Sequence, residues 1–188
     1  GSAPYRGRGV HVPTLAEVLE LCRGKVRVNI ELKYYGHDEQ LEQRVVDLVE
    51  QHEMVDDVVV MSLKADGIAK LKKLRPEWIA GLLTSVAAGD LTRADADFLA
   101  VNTGLATRDF IFRAHRRDKP VHVWTVNDAT TMSVMIGRGA DNLITDHPAL
   151  ARQVLEERAA MSPVERVLVE LAFFFGVTPP TTADPSRP

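Results

Sequence analysis

The segment of this sequence with the most chemistry in it is VRVNIELK, residues 26–33. Val26, Val28, Ile30 and Leu32 alternate with Arg27, Asn29, Glu31 and Lys33, the period of a strand with one apolar and one polar face. Glu31 and Lys33 are two residues apart, so they share a face about 6.5–7 Å from each other. A carboxylate suits a hard divalent cation and a lysine suits a phosphate oxygen. An antiparallel or edge strand with one wet face would show the same alternation. A second polar strand end is VWTVND, Val123–Asp128, where Trp124 is either a core aromatic or a wall beside a substrate. In LITDHP, Leu143–Pro148, Asp146 is expected to cap the helix that starts at Pro148, and His147 to sit in a surface turn.

The remaining chemistry is sparse. The six histidines, His11, His37, His52, His115, His122 and His147, form no HxxxH or HExxH pair. No nucleophile elbow, P-loop or GxGxxG is present, so serine nucleophiles and nucleotide binding have no support. Cys22 is the only cysteine, which removes a disulfide framework and a cysteine metal site. A net charge of -3 with mixed Lys, Arg, Asp and Glu argues against nucleic-acid binding. No apolar run is long enough to span a bilayer. The longest, Val167–Val177, is broken by Glu170. Gly1–Ser2 is compatible with either a cloning scar or native sequence.

The elements that must position these residues alternate between strand and helix. Thr14 with Glu17 forms a capping box for a helix carrying Leu15, Val18, Leu19 and Cys22. Gly36 and Asp38 break the strand 26–33, and Leu41, Val45, Leu48 and Val49 mark the next helix. Five more strands are expected at Val58–Leu63, Ile79–Leu83, Phe98–Val101, Val121–Asn127 and Asn142–Thr145. Helices are expected around Ile68–Leu74, Arg108–Arg117 and Thr130–Ile136. Such alternation implies an α/β fold of parallel strands with crossover helices. Strands covered by helices rarely keep a wet face, so the polar face of 26–33 should line something polar inside. In parallel α/β folds, sites form at the C-terminal ends of strands.

After Pro148 a helix runs to about Arg158. Ser162, Pro163 and Glu165 open another, with Val164, Val167, Leu168, Leu171, Ala172 and Phe175 on one face and Gly176 at its end. The tail 177–188 reads as disordered. The domain division is 1–160 for the α/β part, 161–176 for the C-terminal helix and 177–188 for the tail.

The ordered set VPTLAEVLEL, VNIELK, VVVMSL, DFLAVN, VWTVND and GADNLITDHP resembles the C-terminal two-thirds of the glycerophosphodiester phosphodiesterase family, over roughly residues 12–155. The resemblance implies a TIM-type (β/α) barrel without its first strands, about six parallel strands in all. It implies metal-dependent hydrolysis of glycerophosphodiesters to an alcohol and glycerol 3-phosphate, with one divalent cation, Ca²⁺ or Mg²⁺, on three carboxylates. The last of those carboxylates falls on Glu31, the family's phosphate-contacting lysine on Lys33 and its substrate-facing tryptophan on Trp124.

The family's two acid–base histidines lie in HRG and HD motifs that precede the P-T-L helix, and neither motif occurs ahead of that helix here. No catalytic residue is therefore assigned, and the chain alone is expected to be inactive. The partner expected is a small glycerophosphodiester. The end, ARQVLEERAAMSPVERVLVELAFFFG, is similar to a bacterial subgroup whose phosphodiesterase domain follows a membrane-spanning region, which implies a membrane-anchored parent. A related barrel phosphodiesterase for another phospholipid head group, or a non-catalytic barrel module, would share these features. The expected geometry is Glu31, Lys33 and Trp124 converging at strand ends.

Overall fold

The computed structural model describes residues 9–35, 40–86 and 89–176. Gly1–Ser2, the break at Gly36 and Asp38, His37 and the 177–188 tail lie outside the described residues. The strands are β1 (Val28–Leu32), β2 (Val58–Ser62), β3 (Ala80–Thr84), β4 (Phe98–Asn102), β5 (Val121–Trp124) and β6 (Asn142–Leu143). The α-helices are α1 (Leu15–Cys22), α2 (Leu41–Gln51), α3 (Ala65–Leu74), α4 (Arg108–His115), α5 (Ala129–Arg138), α6 (Pro148–Ala160) and α7 (Pro163–Phe174). The strands are parallel and their order follows the sequence. This is the α/β, partial-barrel class that the alternation and the motifs imply.

The chain divides into two compact units, Gly1–Ala80 and Gly81–Pro188. In the first, β1 pairs with β2 in a register that sets Glu31 beside Met61. Val28, Ile30 and Leu32 pack with Val45, Val46, Val49, Val58, Val60 and Leu71, so the apolar face of β1 is covered by helices. Burying these side chains contributes about 1.5–3 kcal/mol each before chain entropy is counted. The capping box at Thr14 and Glu17 is formed as expected, with Thr14 N donating to the Glu17 carboxylate at 2.7 Å.

In the second unit, β3 to β6 pair in turn. Leu99 and Val101 of β4 and Val121 and Val123 of β5 pack with Phe110, Ile111, Met132 and Met135. The alternate residues, Phe98 and His122, stack at 4.3 Å on the opposite face. Gly81, beside Phe98 in the register, leaves room for that ring, since a Cβ there would lie 2.2 Å from it. Gly139 ends α5 in the left-handed conformation, φ 97°.

Several boundaries differ from the sequence reading. β1 starts at Val28, not Val26, because the Val26 amide bonds back to Cys22 O in the turn after α1. Val26 is exposed as a result. β5 stops at Trp124 and β6 at Leu143. Past them the two segments stay bonded irregularly, through Ile144 N to Val123 O and Val126 N to Ile144 O. Asp146 does not cap α6: His147 holds that position with no side-chain bond, and the Asp146 carboxylate accepts from Asn127 instead. His147 is exposed, as expected. The apolar face that the spacing of α7 marks is mostly exposed, and Val169 and Phe173 make the contact with the core.

Candidate active site

β1 ends in the two groups singled out from the sequence. Glu31 is half-buried and Lys33, one residue past the strand, is exposed. Their side chains meet, Nζ to Oε2, at 3.3 Å. The pair stands at the C-terminal end of the strand on the face opposite the helices. Asn29 shares that face one step earlier, with Nδ2 3.5 Å from Met61 Sδ.

What fixes the chain directly after Lys33 was not legible beforehand. The Tyr34 hydroxyl donates to Glu42 Oε1 at 2.7 Å, and Glu42 is buried near the start of α2. Burial, then the hydrogen bond to Glu42 and its charge, push the Tyr34 phenol well above its usual range, so it stays protonated and remains a donor. The Lys64 ammonium lies 4.8 Å from the centre of the Tyr34 ring. Gly67 permits the arrangement, because a Cβ there would fall 2.0 Å from the Tyr34 oxygen. The sequence signal was present in two forms: a glutamate on the first turn of α2 and a glycine inside a helix, which usually has a packing reason.

In the second unit Asn102 ends β4 and Trp124 ends β5, and Asn127 lies three residues past β5. Trp124 closes β5, half-buried, with its indole Nε1 buried and lacking a hydrogen-bond partner among the described residues. The peptide bond after it, Trp124–Thr125, is cis. Asn102 braces the loop past β4: its Nδ2 donates to Ser85 O at 3.2 Å and its Oδ1 accepts from Leu105 N at 3.0 Å. Asn127 ties the WTVND segment to the TDHP segment. Its Nδ2 donates to Asp146 at 2.7 Å, and its Oδ1 accepts from Thr145 Oγ1 at 3.1 Å and from Asp146 N at 2.9 Å. Asp128 then caps α5 through Thr131 N at 2.8 Å.

His122 lies two residues before Trp124, on the same face of β5. Its Nδ1 is buried without a partner among the described residues, and burial lowers its pKa, opposed by the charge of Asp141. The folded imidazole therefore holds its proton less tightly than the unfolded one, whose pKa is near 6.5. The stabilisation is fully present above about 6.5 and is lost as pH falls below that value, because the unfolded chain takes up the proton first. Denaturation midpoints should drop between neutral and mildly acidic pH, and His122→Phe should flatten that slope. An identical slope in the variant would remove His122 from the account.

A divalent cation of the kind the motifs imply needs several oxygen ligands. Among the described residues no group of three or more His, Cys, Asp or Glu side chains is arranged to hold one. Glu31 alone, already facing Lys33, does not make a cation site.

The first unit thus carries a polar pair at the end of a helix-covered parallel strand, and the second a tryptophan that closes β5. The glycerophosphoryl diester phosphodiesterase family model matches residues 1–150, and the chain belongs to that family. The glycerophosphodiester phosphodiesterase of Bacillus altitudinis is 27% identical over 161 residues, covering 79% of this chain and 64% of that protein. Glycerophosphodiester phosphodiesterase GDPD4 of Arabidopsis thaliana is 27% identical over 156 residues, 78% of this chain and 47% of that protein. Across the curated relatives the chain spans between 47% and 64% of their length.

Two solved structures share the fold. A glycerophosphodiester phosphodiesterase from Parabacteroides distasonis has a TM-score of 0.71 at 23% identity, over 78% of this chain and 65% of that one. A phosphodiesterase from Oleispira antarctica, solved with the product sn-glycerol-3-phosphate, has a TM-score of 0.70 at 22% identity, over 77% and 61%.

Proposed function

We propose that this chain supplies the phosphate-holding part of a glycerophosphodiesterase site, in a protein that releases an alcohol and glycerol 3-phosphate. The observation that carries the reading is the Glu31–Lys33 pair at the C-terminal end of β1, in a chain of this family. Product bound in the Oleispira antarctica relative supports glycerol 3-phosphate as the ligand.

Each residue has a role in this reading. The Lys33 ammonium, which is exposed, donates to a non-bridging phosphate oxygen. Glu31 holds that ammonium in place between turnovers and is one oxygen ligand of a divalent cation, Ca²⁺ or Mg²⁺, while among the described residues no group of three or more His, Cys, Asp or Glu side chains is placed to hold one. When bound, such a cation would neutralise charge on the phosphate. Trp124, at the end of β5, is the residue to which the family resemblance gives the substrate-facing role. Proton transfer to the leaving alkoxide falls to histidines of the family's HRG and HD motifs, neither of which occurs ahead of the P-T-L helix in this chain.

Hydrolysis of glycerophosphocholine by the full-length gene product containing these 188 residues tests the reading. Lys33→Ala removes a charge-assisted hydrogen bond of about 1.5–3 kcal/mol, so kcat/KM should fall roughly 10- to 100-fold. Wild-type turnover of a different phospholipid head group in preference, or an unchanged Lys33→Ala enzyme, would contradict it.

A further inference from the structure

α7 meets the rest of its unit with one face only. Val169 and Phe173 pack against the core, the Arg138 guanidinium lies 5.5 Å from the Phe173 ring centre, and Arg108 bonds Glu170 at 3.3 Å. Gly137 of α5 lets the helices approach closely, since a Cβ there would fall 2.7 Å from Glu170 Oε1. The helix is thus fastened down, with a capping box at Ser162 and Glu165 fixing its start.

The outward face of this anchored helix is apolar. Val164, Val167, Leu168, Leu171, Phe174 and Phe175 are between 47% and 80% exposed. Their spacing of three and four residues is that of a continuous helical seam, the pattern by which two helices bury each other. An apolar stripe of this size on a soluble domain marks an interaction surface.

We propose that this stripe is a self-association surface, through which two copies of the chain pair about a two-fold axis. The area suits that occupant. The six side chains expose on the order of 700 Å² per copy, close to the ~800 Å² per partner of a standard specific interface. A two-fold pairing sets the same patch on both partners and closes after two copies.

Residues 177–188 offer little to cover it, because Val177 is their one large apolar side chain. A lipid surface is disfavoured by charge. Interfacial helices carry Lys and Arg on their polar face, whereas α7 has one arginine, Arg166, two glutamates, Glu165 and Glu170, and no lysine.

Sedimentation velocity at micromolar concentration tests the proposal. The chain should sediment with twice its 20.8 kDa mass. Leu168→Lys with Leu171→Lys puts like charges across the seam and should raise the dissociation constant by at least about 100-fold, giving the single-chain mass. Both leucines are exposed, so far-UV dichroism should not change, and the unfolding midpoint should fall only by the amount that association adds to the wild type. Leu63→Lys, at another exposed apolar position just past β2, should leave the doubled mass intact. A wild-type chain that is monomeric throughout overturns the proposal. So does a doubled mass abolished by Leu63→Lys and not by the α7 pair. Binding of a monomeric chain to phosphatidylcholine or phosphatidylglycerol vesicles, lost in the α7 pair, would reassign the stripe to lipid and also overturn it.

Discussion

Incubated with glycerophosphocholine or glycerophosphoethanolamine and Ca²⁺ or Mg²⁺, this 188-residue chain by itself should release glycerol 3-phosphate no faster than buffer. Breaking a phosphodiester needs an acceptor for the proton of the nucleophile and a donor for the leaving alkoxide. Positioned groups of this kind contribute about 10²–10⁴-fold. The described histidines are otherwise occupied or stand alone. His11 faces Glu17 at 3.3 Å on the surface, His52 bonds Leu48 O at 2.7 Å, and His115 bonds Asp141 at 2.7 Å. His122 is stacked on Phe98, and His147 lies exposed in a turn. Glu31, with Lys33 as its neighbour, does not gather a cation's oxygen shell by itself. Metal-dependent release that disappears in Glu31→Ala would show that the chain holds a complete site.

Gly81→Ala should be the most damaging single methyl group in the second unit. The added Cβ would lie 2.2 Å from Phe98 Cε2 and Cζ, far inside van der Waals contact. The ring has little room to yield, since Phe98 is 2% exposed and its other side is stacked on His122 at 4.3 Å. Overpacking a filled core costs about 1–3 kcal/mol, and this contact belongs at the top of that range. The denaturant midpoint should fall accordingly. Phe98→Leu, which removes the ring atoms, should cost stability in the wild-type background and recover part of the loss in Gly81→Ala. Equal midpoints for Gly81→Ala and wild type would mean that the ring is not held where it is described.

Much of this was legible in the sequence because it depends on period and caps. The alternation in VNIELK placed Glu31 and Lys33 on the face away from Val28, Ile30 and Leu32, and the helices cover that apolar set. Thr14 with Glu17, and Ser162 with Glu165, form the capping boxes their spacing announces.

The less legible features depend on tertiary contacts that have no period. Nothing in the period of α2 marks Glu42 as buried, and its partner Tyr34 comes from the end of the preceding strand segment. Asp146 looked like a cap because it precedes Pro148, but Asn127 from another loop takes its carboxylate. α7 is apolar on two faces, so periodicity could not say which would be buried. The close approach of Gly137 to Glu170, and the ion pair from Arg108, select the face bearing Val169 and Phe173.

In the proposed function the end of β1 is part of a glycerophosphodiesterase site, with Glu31 a ligand of its cation. The measurement that bears on it most directly is the rate of glycerol 3-phosphate release by the full-length gene product, titrated with Ca²⁺ and with Mg²⁺, in the wild type and in Glu31→Gln. A neutral amide of the same shape keeps an oxygen but loses the charge that balances the cation. The variant should therefore need about 10- to 100-fold more metal, by analogy with the loss when a residue supporting a metal ligand is removed, and be slower at saturation. Superimposable metal titrations for the two proteins would contradict the assignment of Glu31.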